Sequence, residues 1–414
     1  MQKEIIEEQG RSGKAAAGLL ANASIQQRNG ALTAMAKALR THAGVILAEN
    51  ARDMETGRSA GLTKSMLDRL LLTEDRVENM AKGLEALVRL EDPLGQTSRM
   101  WKRPNGMEIA KVSVPLGLVA MIYEARPNVT VEAAGLCIKT GNSVLLKGSS
   151  TAYYSNRKLV EVLNMGAGNL PSGSIQIIDS KEREAVDVLM KMNETVDVII
   201  PRGGAGLIAN VVQHATVPVI ETGVGNCHAY VDDEADFDMA INIIMNGKTQ
   251  RPSVCNALEK VLIHKKIADS FIPRMEEALK EKGVEIHACK ASIGWFKEAL
   301  PITEEELYTE YLDYILGVVL VDDVEAACAH INRYGSHHSE VIITDSYQSG
   351  KTFQRLVDSA CVYHNVSTRF SDGEEFGFGA EIGISTQKIH ARGPMGLDAL
   401  TSSKYVISGE GQIR

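Results

Sequence analysis

The sequence lacks the cysteine spacings that build metal or disulfide centres. Its 414 residues include six cysteines, at positions 137, 227, 255, 289, 328 and 361, with no Cys-x-x-Cys pair and no Cys/His spacing of the zinc type. Neither a disulfide framework nor a metal site is therefore predicted, and a reducing, cytoplasmic compartment is favoured.

Basic charge, aromatic residues and long apolar runs are also scarce. The net charge is −9 and aromatic residues make up 5% of the chain, which argues against a nucleic-acid partner. The apolar stretch of the N-terminus, MQKEIIEEQGRSGKAAAGLL, is too short and interrupted for a signal peptide or a membrane span. An anionic substrate is still allowed, because local basic side chains can dominate a cleft.

The common phosphate-binding fingerprints are missing. Gly247-Lys248-Thr249 and Gly350-Lys351-Thr352 resemble the end of a P-loop, but Asn242 and Asp345 replace its first glycine, and no GxGxxG is present. The segment from Gly203 and Gly204 to Gly206 follows a strand pattern and opens a helix pattern. It suits an anion at the helix start, and it equally suits an ordinary turn.

Short apolar runs alternate with helix patterns from residue 117 onward. The predicted strands of the first block are Leu118–Tyr123, Val144–Lys147, Ile175–Ile178, Val196–Ile200 and Val217–Ile220, with helices at 129–140, 153–166, 181–192 and 204–213. This alternation predicts a doubly wound, Rossmann-like parallel sheet. A second α/β block is predicted with strands Val261–His264, Ile315–Val321, Val341–Thr344 and Cys361–His364, and helices at 235–247, 267–282 and 323–332.

Three further features lie outside these blocks. The regions 12–50 and 64–90 carry helical spacing. Alternating stretches on both sides of Pro104-Asn105-Gly106 predict a hairpin. The tail contains a short strand pattern, Tyr405–Ser408, with no obvious partner in its own domain.

Cys255 is the strongest candidate for chemistry. It lies in a polar, proline-containing loop, Arg251-Pro252-Ser253-Val254-Cys255-Asn256-Ala257, where Arg251 and Lys248 would lower its pKa. A single cysteine is more often a structural core residue. Because Glu221 precedes it at a predicted strand end, where sites form in open α/β sheets, we interpret Cys255 as a covalent nucleophile. The other five cysteines are predicted to be inert.

Two polar residues follow predicted strands of the first block. Lys147, before Gly148-Ser149-Ser150, is either a solvated lysine or a ligand of a ribose hydroxyl or phosphate. Asn128, in Ala125-Arg126-Pro127-Asn128, is either a turn residue or an amide donor to an oxyanion.

Several long segments resemble one enzyme family. The chain is similar to the glutamate-5-semialdehyde dehydrogenases, or gamma-glutamyl phosphate reductases, a divergent branch of the aldehyde dehydrogenase superfamily. The segments that carry the resemblance are VPLGLVAMIYEARPNVTVEAAGLCIKTGNSVLLKGSS (114–150), VPVIETGVGNCHAYVD (217–232), QRPSVCNALE (250–259), NRYGSHHSEVIITD (332–345) and NVSTRFSDGEEFGFGAEIGISTQKIHARGPMGLDALTSSKY (365–405).

The resemblance implies roles for individual residues. Cys255 matches the superfamily's nucleophile, Asn128 its oxyanion asparagine and Lys147 the lysine at the adenosine ribose. Glu221 stands where the superfamily keeps a general base, but a reductase of acyl phosphates has no need to activate water, so its role stays open. Ser150 replaces a glutamate that many NAD enzymes carry three residues after the lysine, which favours NADP.

The resemblance also implies an aldehyde-dehydrogenase-like α/β fold in three parts. An NADP-binding domain would comprise residues 1–96, 113–225 and 382–397, with Gly203 and Gly204 near the cofactor. A catalytic domain at 226–381 would carry Cys255. The hairpin at 97–112 and the tail at 398–414 would pair into an arm that makes a homodimer or higher homo-oligomer.

The implied reaction is NADPH-dependent reduction of L-glutamyl 5-phosphate to L-glutamate 5-semialdehyde and phosphate, in proline biosynthesis. Arg369 and Arg202 are candidates for binding the substrate carboxylate and phosphate, and structural salt bridges are the alternative for each. A separate glutamate 5-kinase is a candidate partner. Two rival interpretations are a hydrolytic aldehyde dehydrogenase with Glu221 as base, and a catalytically silent cofactor-binding or assembly protein.

Overall fold

The computed structural model describes residues 2–124 and 126–414, apart from the side chain of Ser65. Ala125, which precedes the predicted Arg-Pro-Asn site, lies outside the described residues. The chain divides into two compact units. Unit 1 comprises Met1–Thr222, Gly377–Gly383 and Met395–Arg414, and unit 2 comprises Gly223–Phe376 and Ile384–Pro394.

The helices and strands of unit 1 follow the predicted alternation. Its helices are α1 (Gln2–Leu20), α2 (Ile25–Thr41), α3 (Ala43–Ser59), α4 (Lys64–Leu70), α5 (Glu74–Arg89), α6 (Asn128–Lys139), α7 (Tyr153–Gly166), α8 (Glu184–Leu189) and α9 (Ala205–His214). Its strands are β1 (Thr97–Lys102), β2 (Glu108–Pro115), β3 (Leu118–Tyr123), β4 (Ser143–Gly148), β5 (Ile175–Ile177), β6 (Val198–Arg202) and, from the tail, β16 (Thr401–Ser408).

A parallel sheet in the order β5-β4-β3-β6 forms the centre of unit 1. Strand β3 is buried along its whole length, as a strand with helices on both faces must be. The chain runs outward from β3 to β5 and then returns to place β6 on the other side of β3. The carboxyl ends of β3 and β6 therefore lie at the topological switch point, where open α/β sheets bind ligands.

Unit 2 is built on a second parallel sheet, in the order β10-β9-β11-β8-β7-β12-β13. Its strands are β7 (Cys227–Val231), β8 (Leu258–His264), β9 (Glu285–Ala288), β10 (Leu300–Pro301), β11 (Ile315–Val321), β12 (Ser339–Ile343) and β13 (Cys361–His364). Its helices are α10 (Phe237–Thr249), α11 (Ala268–Glu281), α12 (Glu304–Leu307), α13 (Val324–Tyr334) and α14 (Tyr347–Leu356). Strands β14 (Gly383–Ser385) and β15 (Gly393–Met395) pair where the chain passes between the units.

The predicted hairpin is present as β1 and β2, and the tail strand β16 pairs antiparallel with β2 of the same chain. The hairpin and the tail therefore pair with each other, as the predicted arm requires, although the tail pattern showed no obvious partner in its own domain. The partner is distant in sequence, which no local pattern reveals. The contact-based units also differ from the predicted domain limits, because residues 384–394 group with unit 2 and the hairpin and tail group with unit 1.

One predicted strand is wrong. Val217–Ile220 forms only an isolated bridge between Val219 and Ile199, in a run that contains a proline unable to donate to a ladder. Glu221 consequently lies in an irregular segment and does not end a strand. The next strand is β7, which the sequence analysis missed. Among the described residues, no helix is long and apolar enough to cross a membrane.

Candidate active site

Cys255 lies in the tight loop between α10 and β8 of unit 2, and its side chain is partly exposed. The loop closes through a hydrogen bond from the Ala257 amide to the Val254 carbonyl, at 3.0 Å. From Asn256 onward the chain is buried as it enters β8. The loop therefore holds a half-buried cysteine on a backbone that is anchored in the core.

A turn at Thr368–Phe370 fastens the same loop from the other side. The Asn256 side chain donates to the Ser371 carbonyl at 2.9 Å, and the Thr368 hydroxyl donates to the Asn256 carbonyl at 2.8 Å. Buried hydrogen bonds of this kind are costly to break, because each would leave an unpaired polar group. The loop and the turn thus form one rigid substructure.

Arg369, on this turn, is brought beside Cys255. Its Nε donates to the Gln250 side chain at 2.9 Å. Burial lowers the pKa of its guanidinium, and the charge of the nearby Cys255 thiolate acts in the opposite direction. A cation that is always protonated in proteins is suited to stabilise a thiolate or to bind a substrate anion.

Buried charges lie behind the loop. Lys248 and Glu259 form an ion pair at 3.1 Å with both side chains fully buried, and burial lowers the pKa of Lys248 and raises that of Glu259. Lys248 was predicted to act on Cys255, but its observed ion pair is with Glu259. Lys260, also fully buried, donates to the Asn226 side chain at 3.0 Å and fixes the segment that enters β7.

At the switch point of unit 1, a carboxylate occupies the start of α9. Gly204 donates its amide to the Glu124 side chain at 2.8 Å, and Glu124 in turn donates its amide to the Arg202 carbonyl at 3.0 Å. A Cβ at Gly203 would lie 2.7 Å from the Glu124 carboxyl carbon, so a side chain at this position would displace the Glu124 carboxylate. The two predicted glycines therefore mark a crowded helix start, of the kind that attracts anions.

Lys147 and Ser150 lie at the carboxyl end of the neighbouring strand, β4. Lys147 is 4% exposed and its Nζ donates to the Gly148 carbonyl at 3.0 Å. Burial lowers its pKa, and Glu182 acts in the opposite direction. Ser150 is exposed in the turn that leads into α7, while the buried Ser149 hydroxyl has no partner within the described residues. An unpaired Ser149 hydroxyl two residues after Lys147 is consistent with a site for the ribose of a nucleotide cofactor.

Asn128 begins α6, and its side-chain amide donates to Glu132 at 2.7 Å. Because an amide has two N–H groups, a second donor is left for an oxyanion. Asn128 and Glu221 belong to unit 1, as do Lys147, Ser150, Arg202, Gly203 and Gly204, while Cys255 and Arg369 belong to unit 2.

Sequence reasoning missed two residues that touch the Cys255 loop. A Cβ at Gly225 would lie 1.4 Å from the Cys255 carbonyl oxygen, and the Cys227 thiol donates to that oxygen at 3.2 Å. Cys227 was predicted to be inert. The signal for both residues is the parallel pairing of β7 with β8, which is absent from any local pattern.

Comparisons with known proteins agree with this architecture. A family model described as the aldehyde dehydrogenase family matches residues 1–291. The gamma-glutamyl phosphate reductase of Moorella thermoacetica is 56% identical, over 99% of this chain and 98% of that protein, and that of Clostridium botulinum strain Eklund 17B is 53% identical over the full length of both. The crystal structure of gamma-glutamyl phosphate reductase from Thermotoga maritima superposes with a TM-score of 0.97, at 43% identity and 99% coverage of each chain.

Fold and relatives thus define an oxidoreductase that acts on aldehyde groups and uses a nicotinamide cofactor. The chain belongs to the aldehyde dehydrogenase family and, within it, to the gamma-glutamyl phosphate reductases.

Proposed function

We propose that the protein reduces L-glutamyl 5-phosphate to L-glutamate 5-semialdehyde and phosphate with NADPH, in proline biosynthesis. The observation that carries the proposal is the thiol of Cys255, held on a loop that is hydrogen-bonded to the turn that carries Arg369. The full-length similarity to proteins named gamma-glutamyl phosphate reductase supports the choice of substrate.

The Cys255 thiolate attacks the acyl carbon of the substrate and forms a C–S bond. The negative oxygen accepts hydrogen bonds from the Cys255 backbone amide and from Asn128. The bond from the acyl carbon to the phosphate oxygen then breaks, and phosphate leaves with the electron pair. NADPH, when bound, supplies the hydride that reduces the resulting thioester. Collapse of the thiohemiacetal breaks the C–S bond and releases the aldehyde.

The remaining residues bind and orient. Arg369 and Arg202 hold the carboxylate and phosphate of the substrate. Lys147 and Ser150 hold the adenosine ribose, and the small Ser150 side chain admits a 2′-phosphate, which is the reason for choosing NADP. Gly203 and Gly204 are assigned to the cofactor as well, which requires the Glu124 carboxylate to leave the start of α9 when the cofactor binds. Glu221 has no proton transfer to perform in this sequence of steps, because phosphate and not water takes part.

The proposal also gives each unit a role and places the enzyme in a cellular compartment. Unit 1 binds the cofactor and unit 2 supplies the nucleophile. The hairpin and the tail form an arm that joins subunits into a homodimer or higher homo-oligomer. The enzyme works in the cytoplasm, where a separate glutamate 5-kinase supplies the acyl phosphate and is a candidate partner.

A reverse-direction assay tests the function. The protein is mixed with glutamate 5-semialdehyde, phosphate and NADP⁺, and formation of NADPH is followed by absorbance. We expect a rate that requires phosphate and is lost in Cys255→Ser. A rate that persists without phosphate and yields glutamate would identify the hydrolytic alternative with Glu221 as base. No rate under either condition, with NADP⁺ still bound, would identify a silent cofactor-binding protein.

A further inference from the structure

Both peptide groups that flank the Cys255 Cα accept a hydrogen bond at their carbonyl oxygen. The Val254 carbonyl accepts from the Ala257 amide at 3.0 Å, and the Cys255 carbonyl accepts from the Cys227 thiol at 3.2 Å. Because each peptide group is planar, a hydrogen bond to a carbonyl also orients the N–H of the same peptide. The first of these two peptides carries the Cys255 N–H that faces the developing oxyanion in the proposed mechanism.

Cys227 reaches this position through the packing of two neighbouring strands. Strands β7 and β8 are parallel, and Cys227 pairs with Leu258 at the start of both, with an irregularity in register immediately after Cys227. The preceding Gly225 lies so close that a Cβ would be 2.7 Å from the Cys255 Cα. The segment 225–227 therefore lies directly against the nucleophile's backbone.

The segment is itself held by hydrogen bonds to three side chains of unit 2, of which only Lys260 is fully buried. The Gly225 amide donates to Glu310 at 2.7 Å, the Asn226 amide donates to the Ser336 hydroxyl at 2.8 Å, and Lys260 donates to the Asn226 side chain. These contacts give the Cys227 side chain little freedom to leave the Cys255 carbonyl. Burial raises the pKa of the Cys227 thiol well above its usual value, so the thiol keeps its proton and remains a donor.

We propose that Cys227 is a positioning residue for the nucleophile, acting through the Cys255 carbonyl. Its thiol fixes the peptide between Cys255 and Asn256. The hydrogen bond from the Ala257 amide to the Val254 carbonyl fixes the peptide before Cys255. Together they set the two backbone dihedrals of Cys255, and with them the direction of the nucleophilic thiol and of the oxyanion-binding amide. This role rests on the proposed function of Cys255.

The test compares Cys227→Ala, which removes the donor, with Cys227→Ser, which keeps one. Cys328→Ala is the matched control, because Cys328 is a buried cysteine of the same unit, on α13, in the apolar cluster that contains Phe353 of α14. The first readout is kcat and KM for the reverse reaction, per mole of folded protein. We expect kcat to fall about tenfold in Cys227→Ala with KM within about twofold, near recovery in Cys227→Ser, and no change in the kcat of Cys328→Ala.

The second readout does not depend on the reaction. Alkylation of Cys255 by iodoacetamide is followed by mass spectrometry against pH, and we expect the midpoint to move by about half a pH unit in Cys227→Ala alone. If Cys227→Ala fails to fold, Cys227→Val, which fills the volume without a donor, takes its place. Wild-type kcat and alkylation profile in the donor-free variant would overturn the proposal. Inactivity of the wild-type enzyme would instead overturn the proposed function, and the alkylation profile would still decide the role of Cys227.

Discussion

Gly225 packs its backbone against the carbonyl of Cys255 so closely that a Cβ at position 225 would lie 1.4 Å from that oxygen. No rotamer relieves this overlap, because Cβ is fixed to the backbone. The nucleophile loop and the segment that enters β7 can keep their positions only with glycine here.

Gly225→Ala should therefore displace the loop. We expect a loss of about 3 kcal/mol of unfolding free energy, from strain in a packed region, together with loss of activity. Denaturant unfolding and the reverse assay measure both. Gly294→Ala is the control in the same unit, since no atom lies within 4 Å of its Cβ position. Equal stability of the two variants would show that the Cys255 loop can move away from an alanine at position 225 without loss of unfolding free energy.

Replacement of the nucleophile should remove activity and spare the fold. In Cys255→Ser, the hydroxyl stays protonated near neutral pH and attacks poorly, so we expect kcat to fall on the order of a thousandfold or more. NADPH binding, measured by calorimetry, should stay as in the wild type. Cys137→Ser and Cys361→Ser, at buried sites in α6 and β13, should lose stability at most. Wild-type turnover in Cys255→Ser would exclude the thioester mechanism.

Cofactor preference should change at the exposed Ser150. In Ser150→Glu a carboxylate would stand near the 2′-phosphate, so NADPH should lose about 1–3 kcal/mol of binding free energy and NADH much less. Dissociation constants for both cofactors, determined by calorimetry, measure the difference. Equal losses for the two cofactors would place Ser150 away from the ribose.

The arm should join subunits through β16. This strand has β2 on one edge and no strand of the described residues on the other, and it exposes Tyr405 and Ile407, each at 60%. An apolar, unpaired edge favours pairing with a second chain. We expect Ile407→Asp to shift the protein to smaller species in light scattering, and deletion of 401–414 to do so with an added loss of stability.

Ile413→Asp, at the 93%-exposed end of the tail, is the control for this prediction and should leave the size unchanged. A wild-type protein that is monomeric at micromolar concentration would contradict the arm's proposed role and leave β16 as an intrachain strand.

The protein should become less stable as the pH is lowered, because a buried histidine resists protonation in the folded state. Burial lowers the pKa of His338 from 6.5 to about 4. Between these values the unfolded chain binds a proton that the folded chain does not, so the free energy of unfolding decreases as pH falls below about 6.5. From pH 7 to pH 5 the loss from this residue should be about 2 kcal/mol.

Denaturant unfolding at pH 7 and pH 5 measures the slope. His338→Gln should be less stable at pH 7 and should show a smaller loss on acidification, while His214→Gln, at an exposed position on α9, should keep the wild-type slope. An unchanged slope in His338→Gln would mean that His338 accepts its proton in the folded state.

The sequence by itself determined the local elements and the family. The hairpin around Pro104-Asn105-Gly106 and the apolar runs that became β3, β4 and β11 follow from alternation and turn chemistry. The long segments around Asn128, Cys255 and Arg369 carried the resemblance that the comparisons confirm at the level of family.

Only the tertiary structure decided which distant segments meet. Arg369 lies beside Cys255 because a turn 113 residues beyond Asn256 is hydrogen-bonded to it, and Cys227 reaches the Cys255 carbonyl because β7 and β8 are neighbours in a parallel sheet. The pairing of the tail strand β16 with β2 also joins segments that are distant in sequence. The run before Glu221 forms only an isolated bridge, although its apolar pattern predicted a strand. Local periodicity specifies what a segment can form, whereas strand neighbours depend on the burial of the whole chain.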